Sequence, residues 1–169
     1  MEAIHTRLIN LTALCAEFCN AIENCGEMER SELVNALLGY LPRIYFEFHD
    51  IDAGVSASLD DWGMGVSGHL DEQQYESARM QLAIAFGEED TYLETFEKDM
   101  KYSDTPIAAS VSENLADIYQ PLYDFVVEVR ESEGNNLEDA YRACKDAFRE
   151  YWSQTLCNVM RALNAIYSE

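Results

Sequence analysis

Basic side chains are scarce in this sequence. Its 169 residues include 11 Lys and Arg against 32 Asp and Glu, which gives a formal net charge of −21. A field of that sign repels phosphate backbones and anionic lipid, so direct binding of nucleic acid or of a membrane surface is disfavoured. The same field attracts basic proteins and cations. A coat of acidic residues also keeps a protein soluble without any partner, and both interpretations stay open.

Long apolar runs and a regular cysteine framework are missing as well. No stretch approaches the roughly 18 to 20 apolar residues that span a bilayer, and no apolar run follows a basic start as in a secretory signal. The five cysteines are odd in number and have no short-range pairing pattern, which argues against a disulfide scaffold and for a reducing compartment. We therefore expect a cytoplasmic protein.

Sustained alternation of apolar and polar residues, which would indicate strands, is absent, and helical spacing dominates. Apolar residues recur at steps of three and four in four long segments: Ile4 to Ile22, Val34 to Phe48, Leu115 to Val129 and Leu137 to Ile166. Further helices are expected at about 71–86, ended by Gly87, and at about 89–101, with the last helix running over about 137–167. The chain is therefore predicted to be all-α: a bundle of five or six helices, mostly up-and-down, in a single domain over residues 1–169.

Local signals refine these predicted helices. Pro42 and Pro121 lie inside two of them, and each removes the amide that would bond to the carbonyl four residues earlier. We therefore predict kinks at Pro42 and Pro121. Ser110 is followed three residues later by Glu113, the pattern of a capping box at a helix start.

Glycines are concentrated in one irregular loop at 50–69, where Gly63, Gly65 and Gly68 match the spacing G-x-G-x-x-G. A dinucleotide site of this kind needs a buried strand that leads the glycines to a helix N-terminus. The residues before Gly63 do not form a hydrophobic strand, and Asp60 and Asp61 would place negative charge beside the phosphates. We interpret the match as chance.

The ligand set of a di-metal helical bundle is incomplete here. Such bundles use two Glu-x-x-His pairs, whereas this chain has one, Glu2 to His5. The acidic region 47–72, with Glu47, His49 and His69, has ligands suited to a hard cation or zinc. A solvated acidic helix end explains the same residues without a ligand. We predict no cofactor and no metal site, and keep a metal-dependent or small-ligand-binding protein that uses region 47–72 as the alternative.

No residue set has the composition of a catalytic centre, so an enzyme is not favoured. A nucleophilic cysteine needs a base or a positive field that lowers its pKa, and the overall acidity works against that. The ten tyrosines suit core and boundary packing, and an aromatic-lined groove for a peptide is the functional alternative. Arg142, Lys145 and Arg149 form the one local basic cluster, which we interpret as a surface for salt bridges.

Three segments resemble a bacterial family of helical proteins, the domain of unknown function numbered 5063. They are YLPRIY, ENLADIYQPLYDFV and FREYWSQTLCNVMRAL, at residues 40–45, 113–126 and 148–163. The resemblance runs over most of the chain, is strongest from Tyr92 onward, and leaves out the glycine-rich loop. It implies an uncharacterised, all-helical, intracellular protein, and it supplies no catalytic residues.

The resemblance draws attention to Asp117, Tyr119, Trp152 and Arg161. We predict an ion pair between Asp117 and Arg161 that joins the two longest helices, with the two aromatic residues close by. Such a cluster either orients the packing, since buried polar groups need partners, or forms the floor of a binding groove.

The function that the sequence favours is that of a non-catalytic acidic protein which engages a basic partner. One form of this function is an inhibitor- or immunity-like protein that covers a cationic site. The sequence does not indicate the identity of the partner or the oligomeric state.

Overall fold

A computed structural model describes residues 2–52, 68–94 and 105–168, and helices dominate those ranges. They are α1 (Glu2–Glu23), α2 (Arg30–Asp50), α3 (Glu72–Phe86), α4 (Val111–Glu131), α5 (Leu137–Ala147) and α6 (Ser153–Tyr167). The predicted all-α bundle is confirmed. Residues 53–67, which include Gly63 and Gly65 of the glycine motif, lie outside the described ranges.

The apolar stripes form one core. Leu8, Phe18 and Ile22 of α1 are fully buried, as the helical spacing predicts, whereas Ile4 at the start of the stripe is 40% exposed. Helix α4 occupies the centre, because it packs against α1, α3, α5 and α6. Helix α2 lies against α1 and α6. No described helix is both long enough and apolar enough to cross a membrane.

Both prolines lie inside helices that continue beyond them, Pro42 in α2 and Pro121 in α4. The predicted bends at these positions stay predictions. The start of α4 is capped by Ser110, whose hydroxyl oxygen accepts a hydrogen bond from the Glu113 amide at 3.2 Å. Helix α3 ends at the predicted place, where Gly87 adopts a positive φ of 57°, a conformation that glycine adopts without steric cost.

The acidic helix predicted at 89–101 is wrong over residues 89–94. A 3-10 turn, Gly87–Asp90, leads instead into strand β1 (Thr91–Glu94), which pairs antiparallel with β2 (Ile107–Ser110). The turn is held by Asp90, which accepts a hydrogen bond from the Ser112 amide at 2.7 Å. Strands of four residues are too short to show alternation in the sequence, and the rest of the predicted helix, 95–101, lies outside the described residues.

The helix predicted over 137–167 is interrupted by a π-helical segment, Phe148–Trp152. Cys144, Phe148, Trp152 and Leu156 follow one another at three consecutive steps of four residues. In an α-helix each such step overshoots a full turn by about 40°, so the apolar stripe would rotate away from the core. The wider π turn absorbs this drift, and all four side chains are buried.

An aromatic cluster joins the helices on both sides of this π segment. The ring of Phe48, on α2, is its centre, and its centroid lies 5.0 Å from Trp152, 5.7 Å from Phe148, 5.4 Å from Tyr141 and 6.3 Å from Phe125. The cluster therefore fixes the π segment against both α2 and α4.

Candidate functional site

Five carboxylates share one face of α4 and are called here the α4 acidic row: Glu113, Asp117, Asp124, Glu128 and Glu131. At about 100° per residue they fall within a sector of about 60°. The row extends for about 27 Å along the helix, at 1.5 Å per residue. None of the five residues is fully buried: Glu113 and Glu131, at the two ends of the row, are exposed, and the three between them are partly buried.

The C-terminal part of the row holds a histidine. The Nε2 atom of His69 lies 3.1 Å from the Glu128 carboxylate, and its Nδ1 atom lies 3.7 Å from that of Glu131. The side-chain amide of Asn136 also donates to Glu128, at 2.9 Å. The hydrogen bonds from Asn136 and then from His69 lower the pKa of Glu128. Glu128 is therefore ionised at neutral pH and accepts hydrogen bonds from nitrogen atoms of Asn136 and His69.

The two aspartates at the middle of the row are held in place by hydrogen bonds. The Tyr75 hydroxyl, on α3, donates to Asp117 Oδ1 at 2.7 Å, and burial together with this carboxylate raises the pKa of the phenol. The backbone amides of His69 and Leu70 both donate to Asp124 Oδ1 at 2.8 Å. Both carboxylates are thus oriented before any ligand arrives.

A groove of about 420 Å³ runs beside the row, between α4 and α5, and is called here the α4–α5 groove. It is lined by Gln120, Pro121, Asp124, Phe125, Ala140, Ala143, Cys144, Ala147 and Tyr151. The three alanines leave space between the helices. Tyr151, in the π segment, is 49% exposed at the groove, whereas the next residue, Trp152, is fully buried. Partial burial, and then the charges of Cys144, Asp117 and Asp124, raise the pKa of Tyr151.

The four residues singled out from the sequence lie in different surroundings. Asp117 bonds to Tyr75 as described, and Arg161 is exposed on α6, where it lines a small pocket with Tyr92. The ion pairs found within residues 2–52, 68–94 and 105–168 include none between Asp117 and Arg161. Arg161 falls off the buried stripe of α6, which separates it from α4.

The two aromatic members of that set are core residues. The Tyr119 hydroxyl donates to the Glu23 carboxylate of α1 at 2.9 Å, and the indole N–H of Trp152 donates to the Cys144 carbonyl at 3.3 Å. Both side chains are buried. None of the four lines the α4–α5 groove, although the charge of Asp117 contributes to the raised pKa of Tyr151. A binding groove at these four residues stays a prediction.

The described part of the acidic region 47–72 has internal partners. Arg7 lies 2.7 Å from Glu47 and 2.9 Å from Asp50, and both carboxylates raise the pKa of its guanidinium. Among the residues that the structure describes, no three histidine, cysteine, aspartate or glutamate side chains are arranged to hold a metal ion. A cation site in this region stays a prediction.

The basic cluster near α5 divides into two environments. Arg142 forms the expected surface ion pairs, at 2.8 Å with Asp139 and 3.4 Å with Glu138. Lys145 is instead buried, 8% exposed, and its ammonium donates to the Ile51 carbonyl. Desolvation lowers the pKa of Lys145. For this side chain the predicted role as a surface salt-bridging group is wrong, because its position on α5 faces the end of α2.

The surroundings of the five cysteines disfavour the thiolate form. Cys15 and Cys144, which the sequence places on apolar stripes, are buried, and Cys157 is exposed. Burial raises the pKa of all five thiols, whereas a nucleophilic cysteine needs a lowered pKa. The electrostatics therefore favour thiols that pack rather than react.

Comparison with known proteins adds a family and a fold. The family model described as Domain of unknown function (DUF5063) matches residues 2–169. The crystal structure of protein BF1032 from Bacteroides fragilis is similar to this chain, with 28% sequence identity and a TM-score of 0.77, over 95% of this chain and 91% of that one. No curated protein matches the chain.

Proposed function

This chain belongs to the family described as Domain of unknown function (DUF5063), and we propose that it is a non-catalytic interaction protein, which engages a basic partner through the α4 acidic row. The row is the single observation that carries the proposal. It concentrates five carboxylates on one helix face, on a protein with a net charge of −21.

The pattern of internal ion pairs supports this proposal. Arg7, Arg79 and Arg142 each pair with carboxylates elsewhere in the fold. Within the described residues, the ion pairs of the acidic row involve His69 and no lysine or arginine. Among the described residues, the charge of the row is therefore not offset by an ion pair with a lysine or arginine.

The same electrostatics suit an inhibitor- or immunity-like protein that covers a cationic site. Complementary charge raises the rate of encounter and disfavours wrong partners. Because the screening length falls to about 8 Å at physiological salt, binding of this kind weakens as salt is added.

A labelled decalysine peptide tests the proposal. Its affinity for the protein should fall steeply as NaCl is raised. In the double variant Glu113→Gln with Glu131→Gln it should fall by about fivefold, since each exposed charge contact contributes about 0.5 kcal/mol. Both side chains are exposed, so the fold should be unaffected.

The matched control removes the same charge from other helices. Glu17→Gln with Glu32→Gln alters exposed residues of α1 and α2 and leaves the acidic row intact. We expect little loss of peptide affinity in this control. Equal losses in the two double variants, or an affinity that does not depend on salt, would show that the row is not the binding surface.

A further inference from the structure

We propose that the α4–α5 groove is the anchor site of this interaction and receives an arginine side chain of the partner. The guanidinium would lie against the ring of Tyr151 and beside the carboxylate of Asp124, both of which line the groove. This inference rests on the proposed function and adds the position of the anchor and the chemistry of the residue that fills it.

The shape of the groove suits a long side chain with an apolar stem. Its volume of about 420 Å³ lies within the range of small-ligand sites, roughly 300–1,000 Å³. Pro121, Ala143 and Ala147 form apolar walls that match the methylene stem of an arginine, which is commonly buried while its charged end stays at a polar surface.

Asp124 supplies the complementary charge in the lining of the groove. The described hydrogen bonds to its side chain both end on Oδ1, from the amides of His69 and Leu70, so the carboxylate is oriented by one oxygen and presents the other. A guanidinium donates up to five hydrogen bonds in one plane, and this fork of donors can reach that oxygen. An arginine bound here loses less to reorganisation of the site, because the acceptor is already ordered.

Tyr151 distinguishes arginine from lysine as the occupant. Its half-exposed ring lies at the groove, and a planar guanidinium can stack on that ring while its N–H groups point sideways to the carboxylates. An ammonium is a compact point charge and cannot make both kinds of contact in the same way. Burial, and then the nearby charges, raise the pKa of the phenol, so the side chain stays neutral at physiological pH.

The His69 contacts show that the same row holds a planar nitrogen donor. Its imidazole lies between Glu128 and Glu131, at 3.1 and 3.7 Å, beyond Asp124 along the helix. The proposed guanidinium site is nearer the middle of α4, where Asp124 and the ring of Tyr151 line the same groove.

Hexa-arginine and hexa-lysine peptides of equal length and charge test the inference by calorimetry at low salt. We expect hexa-arginine to bind about tenfold more tightly. Tyr151→Ala should lower the affinity for hexa-arginine more than the affinity for hexa-lysine and so remove this preference, whereas Tyr151→Phe, which keeps the ring, should preserve it. Tyr167→Ala is the matched control, because Tyr167 is 61% exposed on α6, away from the groove.

The outcomes separate this inference from the proposed function. Equal affinities of the two peptides for the wild type, or an equal loss of both in Tyr151→Ala, would overturn the arginine anchor while salt-dependent binding to the acidic row could still hold. No binding of either peptide would overturn both. If Tyr151→Ala fails to fold, NMR shifts in the wild type decide: hexa-arginine should perturb the amides of Ala143 and Ala147, and perturbations confined to other helices would refute the anchor.

Discussion

Replacing Phe48 with leucine should destabilise the bundle by about 2–4 kcal/mol. The side chain is fully buried and its ring contacts four other rings at centroid distances of 5.0 to 6.3 Å. Each aromatic pair contributes about 0.5–1.5 kcal/mol beyond the area it buries, so four pairs give an upper bound of about 6 kcal/mol. The corresponding lower bound is about 2 kcal/mol. Leucine retains part of the apolar contact, and the contributions of neighbouring pairs are not additive. The expected loss in unfolding free energy therefore lies in the lower half of the range between these bounds.

Urea titration and thermal melting, both followed by far-UV circular dichroism, measure this loss. At this chain length about 1 kcal/mol shifts the melting temperature by 2–4 °C, so the expected decrease is about 4–16 °C. Phe46→Leu is the matched control: it makes the same chemical change two residues earlier on α2, where the side chain is 57% exposed. A loss at Phe48 within 0.5 kcal/mol of the loss at Phe46 would show that the aromatic cluster does not hold the helices together.

Four further substitutions test individual contacts. Tyr141→Phe should lower the free energy of unfolding, measured by urea titration, by about 1 kcal/mol. The change removes the 2.9 Å hydrogen bond to the Ile51 carbonyl, while that oxygen keeps a second donor. A larger decrease would mean that the second donor does not compensate. Asp124→Ala should lower the free energy of unfolding by about 2–3 kcal/mol, since it removes the acceptor of two backbone amides before α3. A loss of hydrogen-exchange protection at these two amides would locate the effect. Because the pKa of Glu128 is lowered in the folded protein, its ionised carboxylate stabilises the fold above pH 4.5, the usual pKa of glutamate. This stability is lost as the pH falls through the lowered pKa. The difference in unfolding free energy between the wild type and Glu128→Gln should therefore decrease as the pH is lowered. A difference that stays constant with pH would exclude a charge effect. Asn136→Ala, which removes one of the two donors to Glu128, should make this difference smaller as well.

Most of the helical architecture could be predicted from the sequence, because helical periodicity is a local property. Leu8 and Phe18 lie on one face of any helix that contains them, so their burial follows from spacing alone. The strand Thr91–Glu94 could not be found in this way, since its partner starts at Ile107 and only pairing makes it a strand. The π segment is indicated in the sequence, by three consecutive four-residue spacings between apolar residues that begin at Cys144.

The candidate site was only partly visible in the sequence. Asp117 was singled out, but its partner proved to be Tyr75, 42 residues away, and not Arg161. The helical spacing of the five carboxylates on α4 was present in the sequence, whereas the groove beside them was not. That groove requires α4 to lie next to the alanines of α5, and a π turn to expose Tyr151 while burying Trp152.

The amino-acid sequence by itself determined the helices, the faces they bury and the strongly negative charge of the exterior. Those properties depend on composition and on repeats of three to four residues, which any single segment carries. The tertiary structure alone decided which carboxylates are oriented by partners, which lysine is buried, and where a groove opens beside the acidic row. Those features depend on contacts between elements far apart in the chain, and such contacts exist only once the helices have packed.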